Sequence, residues 1–93
     1  MNKFQELMAI TTEECGELTQ VCMKQMRKFS NKKQSLAQSE DALKWRNKLV
    51  EELGDVQCMI DLLVEHGMVD AQEIAHRVKV KRDKLKLWSK LVD

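Results

Sequence analysis

An all-α fold is predicted for this chain by three observations. Proline is absent, glycine occurs only three times among 93 residues, and apolar residues recur at spacings of three and four along three long stretches. Apolar residues make up 43% and charged residues 33%, a balance that suits one small folded domain over residues 1–93 and argues against disorder. A chain this short buries only about 60 to 65% of its unfolded surface, and three helices of this length leave an apolar face uncovered. The expected architecture is therefore three main helices that form four-helix-bundle units through self-association, as a homodimer or homotetramer.

Lys3 to about Phe29 reads as the first helix. Leu7, Ile10, Glu14, Glu17 and Val21 form its stripe, and Phe4, Met8, Cys15, Leu18, Cys22 and Met26 widen the apolar face beside it. The polar run SNKKQSLAQS, residues 30 to 39, has no periodicity and reads as a loop. Ser39 is placed to cap the second helix, with Glu40 and Asp41 in a first turn where the helix dipole favours negative charge. That helix is expected to reach about His66, with Gly67 just past its end and Trp45, Leu49, Val56, Met59 and Leu63 as its stripe. Asp70-Ala-Gln-Glu73 opens the third helix as a capping box, Asp70 capping and Glu73 reaching back. It is expected to continue to about Leu91 on a stripe of Ile74, Val78, Lys81, Leu85 and Trp88.

The formal net charge is +1, from 16 basic and 15 acidic residues, so there is no overall electrostatic case for a nucleic-acid or membrane partner. The segment from Arg77 to Lys90 is strongly basic, with Asp83 its single acid, but no helix-turn-helix signature precedes it. Cys15, Cys22 and Cys58 are odd in number and lack CxxC spacing, as expected of reduced core thiols in a cytoplasmic protein. No run approaches the roughly 20 apolar residues of a membrane span, so a soluble chain is expected.

Two acidic segments break the apolar stripes. In Glu13-Glu14-Cys15-Gly16-Glu17 and Glu51-Glu52-Leu53-Gly54-Asp55, carboxylates three residues apart share one helix face. Glu14, Glu17 and Glu52 take positions that the periodicity reserves for core residues, with Asp55 at the edge of the second stripe. Four such groups facing one another would repel by several kcal/mol unless a positive charge lay between them. All-oxygen donors without Cys or His point to Mg²⁺, with Mn²⁺ as a substitute. Glu73-Ile-Ala-His76 has the ExxH form of di-iron bundles, but it occurs once and Glu73 is already explained as a capping residue. His66 reads as a helix C-terminal residue facing the dipole. Lys81 breaks the third stripe with the sign needed opposite four carboxylates and a bound anion.

The arrangement EExGEL on one helix followed by EELGDV on the next resembles the MazG-like, all-α nucleoside triphosphate pyrophosphohydrolases. The family's pattern is ExxE, a variable gap and ExxD, here Glu14-x-x-Glu17 and Glu52-x-x-Asp55, and the likeness extends over nearly all of the chain. It implies Mg²⁺-dependent hydrolysis of a nucleoside triphosphate, commonly a deoxy one, to the monophosphate and pyrophosphate. The same resemblance implies Glu14, Glu17, Glu52 and Asp55 as metal ligands, with Glu13 as a helper and Glu17 or Glu14 accepting a proton from the attacking water. Thirty-five positions separate Glu17 from Glu52, more than in many members, which marks the intervening segment as a specificity element or lid. The family's third-helix Asn, Lys and Arg fall here near Lys79, Lys81 and either Lys84 or Leu85, with Arg82 as a substitute for the last. Lys79, Lys81, Arg82 and Lys84 are the expected substrate contacts. The expectation from another class is a non-catalytic helical interaction or regulatory protein that keeps the bundle.

Overall fold

In the computed structural model, residues 1–29 and 40–93 are described, and they form three helices: α1 (Lys3–Phe29), α2 (Glu40–Glu65) and α3 (Ala71–Leu85). No strand occurs among them, so the all-α class holds. The expected loop over 30–39 and the Ser39 cap lie outside the described residues. Two compact units divide the chain, Met1–Leu62 and Leu63–Asp93. No helix among the described residues is long and apolar enough to cross a membrane.

In the first unit, α1 starts at Lys3 because Asn2 and Gln5 cap each other. The Gln5 backbone N–H donates to Asn2 Oδ1 at 2.8 Å and the Asn2 N–H donates to Gln5 Oε1 at 3.0 Å. The end of α1 meets the start of α2 in an antiparallel hairpin. Buried Gln25 donates from Nε2 to the Trp45 carbonyl at 2.8 Å, and Lys28 Nζ lies 2.7 Å from Asp41 Oδ2 and 5.4 Å from the Trp45 ring centroid. The Lys28–Asp41 pair is exposed and contributes little energy, whereas the Gln25 bond satisfies a buried amide and so fixes the register.

The buried apolar side chains are Leu7, Val21, Ala42 and Met59, and Ile10, Trp45, Leu49 and Val56 are half-buried beside them. These follow the expected stripes of α1 and α2. The wider face does not: Phe4 is 52% exposed and Met26 62%. Cys15, Cys22 and Cys58 are free thiols on the surface, which corrects the expectation of core cysteines. A helix paired with a single neighbour buries one stripe only, and residues one position off it stay uncovered.

In the second unit, Gly67 ends α2. Its φ of +70° lies in the left-handed region that a side chain would strain, and its N–H donates to the Val64 carbonyl while that of Met68 donates to Leu63, both at 2.9 Å. Asp70 then caps α3, its carboxylate accepting from the Gln72 N–H at 2.7 Å, with Glu73 in the first turn. The helix stops at Leu85, short of the expected Leu91. Beyond it the chain tightens into turns, Leu87 N–H to the Lys84 carbonyl and Trp88 N–H to the Leu85 carbonyl. Extension of a helix is nearly neutral by propensity alone, and Leu87 and Leu91, at 86% and 84% exposure, gain no burial that would drive it.

Candidate metal centre

The four acids at stripe positions come together. Glu14 and Glu17 project from α1 and Glu52 and Asp55 from α2, all within the first unit, and one carboxylate oxygen from each lies within 4.8 Å of every other. Opposite ligands of a six-coordinate Mg²⁺ are about 4.2 Å apart. Adjacent ligands are closer still, about 3 Å apart, so the four oxygens must draw together to take one such ion.

Depth differs among the four. Glu52 is 4% exposed, Glu14 is half-buried, and Glu17 and Asp55 open to solvent. Oε2 of Glu14 and Oε2 of Glu52 are buried without any hydrogen-bond partner. An unpartnered anionic oxygen out of water is costly, and a shared cation is the simplest group that would satisfy two at once. Loss of hydration pushes the Glu14 carboxyl above its ordinary range, helped by repulsion from Glu17, Asp55, Glu52 and Glu13. The two exposed members leave the mouth of the cluster accessible to water and an anionic ligand.

Lys48 is the cation that sequence reasoning missed. Its Nζ lies 3.5 Å from Glu52 Oε1 and 4.0 Å from Glu51 Oε2. The signal was present in the i,i+4 spacing to Glu52. Gly16 and Gly54 lie inside the two acidic segments, and a Cβ at either would meet nothing within 4 Å. Among the described residues, no close approach demands glycine at those positions.

The basic residues Lys79, Lys81, Arg82 and Lys84 stand on α3 in the second unit, all exposed. Lys81 does not point into a core, as its stripe position led one to expect: no residue of α3 is buried, and the Lys81 ammonium lies 6.0 Å from the ring centroid of Trp88, itself 72% exposed. Periodicity gave Lys81 a face, but nothing within its unit covers that face. No family model matches the chain, and neither does any curated protein or solved structure.

Proposed function

We propose that this protein is a Mg²⁺-dependent nucleoside triphosphate pyrophosphohydrolase, with Mn²⁺ able to substitute. One observation supports this above the others: four carboxylates from two helices converge within 4.8 Å around Glu52, a buried acid with an unpartnered oxygen. The paired ExxE and ExxD segments supply the reaction class. A divalent ion held by Glu14, Glu17, Glu52 and Asp55 would neutralise the triphosphate, polarise its α-phosphate and lower the pKa of a bound water.

The chain's own part is positioning. Glu52, Glu14 and Asp55 would hold the ion with Glu17, and Glu17, open to solvent, would accept the proton of the attacking water. The water oxygen bonds to the α-phosphorus, the bond from that phosphorus to the bridging oxygen breaks, and pyrophosphate leaves. Lys79, Lys81, Arg82 and Lys84 are the cations of α3 to which this reading gives contacts with phosphate oxygens. Pyrophosphate release measured over the eight common ribo- and deoxyribonucleoside triphosphates, with and without Mg²⁺, is expected to show at least one substrate that depends on the ion. No release above background with any of them would sink the enzyme reading.

Exposed apolar side chains favour self-association as part of the same proposal. In the first unit Met26, Leu43, Val50 and Leu53 are exposed, and in the second so are Leu87, Trp88 and Leu91. Exposed apolar side chains in such number are what a second copy would cover. Light scattering behind size exclusion is expected to give the mass of a dimer or tetramer; a stable 10.9 kDa species would refute it. The same surface suits a non-catalytic helical interaction protein, and the pyrophosphate assay separates the two.

A further inference from the structure

A second feature of the first unit lies beside the acids. An open cleft of about 480 Å³ runs between α1 and α2, lined by Lys24, Lys44, Trp45, Asn47, Lys48 and Glu51 among others. Its volume is that of a small-molecule site. Three ammonium groups against one carboxylate make it positive, although the cluster next to it is acidic. Among the described residues, neither Lys24 nor Lys44 has a carboxylate partner, whereas Lys48 is held by Glu52 at 3.5 Å. One side chain thus belongs to both places: Lys48 lines the cleft and neutralises the deepest acid of the cluster.

We infer that Lys48 serves the two sites in turn, pairing with Glu52 until a divalent cation binds there, then joining Lys24 and Lys44 to hold the oxygens of a polyphosphate anion in the cleft. This inference rests on the divalent-cation part of the proposed function. The physical reason is charge balance. A dication at Glu52 replaces the attraction that holds the ammonium with repulsion, and the flexible four-carbon stem lets the Lys48 head move into the cleft. Lys48 is then a positioning residue that links cation binding to anion binding, with each ligand favouring the other. Trp45 forms a wall of the cleft and is its natural reporter.

The test uses two probes on the full chain with Trp88→Phe, which leaves Trp45 as the only indole. With EDTA present, inorganic tripolyphosphate is expected to change Trp45 fluorescence saturably, and Lys24→Gln or Lys44→Gln to weaken that binding several-fold. Adenosine, which lacks phosphate, is expected to leave the signal unchanged. With Mn²⁺ alone, calorimetry is expected to show Lys48→Met binding the ion roughly two- to fivefold more tightly than the parent. Lys48→Arg, which keeps the positive charge, returns it to the parent value. Tripolyphosphate binding is expected to weaken in Lys48→Met when Mn²⁺ saturates the cluster, and to change much less in EDTA, where Glu52 holds the Lys48 ammonium. A silent Trp45, or adenosine acting as strongly as tripolyphosphate, would overturn the anion assignment. If Mn²⁺ binds the parent and Lys48→Met binds it no more tightly, the sharing of Lys48 fails while the metal cluster stands. If Mn²⁺ does not bind the parent at all, the metal cluster and the sharing fall together.

Discussion

Glu52→Gln is expected to abolish pyrophosphate release while leaving the helical circular dichroism intact. Glu52 supplies the deepest of the four converging oxygens, at 4% exposure, and the amide that replaces it is neutral and a poor ligand for a hard cation. Changes one shell out from a metal typically cost about 10- to 100-fold, so loss of a direct ligand should cost at least about a hundredfold. The fold should survive because the substitution is nearly isosteric and removes a buried carboxylate whose Oε2 has no hydrogen-bond partner. The metal-free variant is expected to melt no lower than the parent. Mn²⁺ affinity should fall with activity; retained turnover together with retained Mn²⁺ binding would refute the ligand assignment.

Saturating Mg²⁺ is expected to raise the melting temperature at pH 8, and to raise it less at pH 5. A ligand that binds only the folded state adds about 2.7 kcal/mol at a hundred times its Kd. For a domain of this size that corresponds to a shift of roughly 10 to 20 °C. The pH arm follows from Glu14, whose carboxyl is pushed up from an ordinary value of 4.5 by lost hydration and by its acidic neighbours. A raised folded value means that the native state keeps a proton the unfolded chain has already lost. Without divalent ions, that contribution to stability is therefore fully present below about pH 4.5 and is lost as pH rises through the folded value. Protons and the cation relieve the same repulsion, so each weakens the effect of the other. Melting curves in EDTA, compared with Glu14→Gln, isolate this group: the difference between the two proteins should widen as pH rises. A parent that loses stability relative to Glu14→Gln on acidification would reverse the sign and overturn the account. An unchanged melting temperature in Mg²⁺ at pH 8 would point to a solvated, ion-free acidic face.

Much of the first unit was legible from residue spacing. The stripe of α1 ran through Leu7, Glu14 and Val21 and that of α2 through Leu49, Glu52 and Met59, and these are the positions that lose exposure. An acid at a core position is readable because helical periodicity is local. The start of α1 was read correctly at Lys3, and the reciprocal bonds of Asn2 and Gln5 explain it. Less was legible in the second unit. The end of α3 was placed too late, because good helix formers up to Leu91 say nothing about whether burial will reward them. Lys81 was assigned to a core-facing stripe on periodicity alone, and periodicity names a face without naming what covers it; the three cysteines were assigned to the core on their number and spacing, which say nothing of burial. Lys48 was passed over since lysine on a helix is usually a solvated residue.

The sequence by itself determined where the helices lie and which face of α1 and of α2 carries two carboxylates, since both follow from the 3.6-residue repeat. Only the tertiary structure decided that the two pairs meet. Their meeting depends on the antiparallel register of the hairpin, held at one end by the Gln25–Trp45 bond and along its length by the burial of Leu7, Val21, Ala42 and Met59. Depth was decided there as well: Glu52 is enclosed while Asp55, one turn along, stays open. A shift of α2 by one turn would keep every helix and separate the acids, because helix formation is a local property and the distance between two helices' side chains is not.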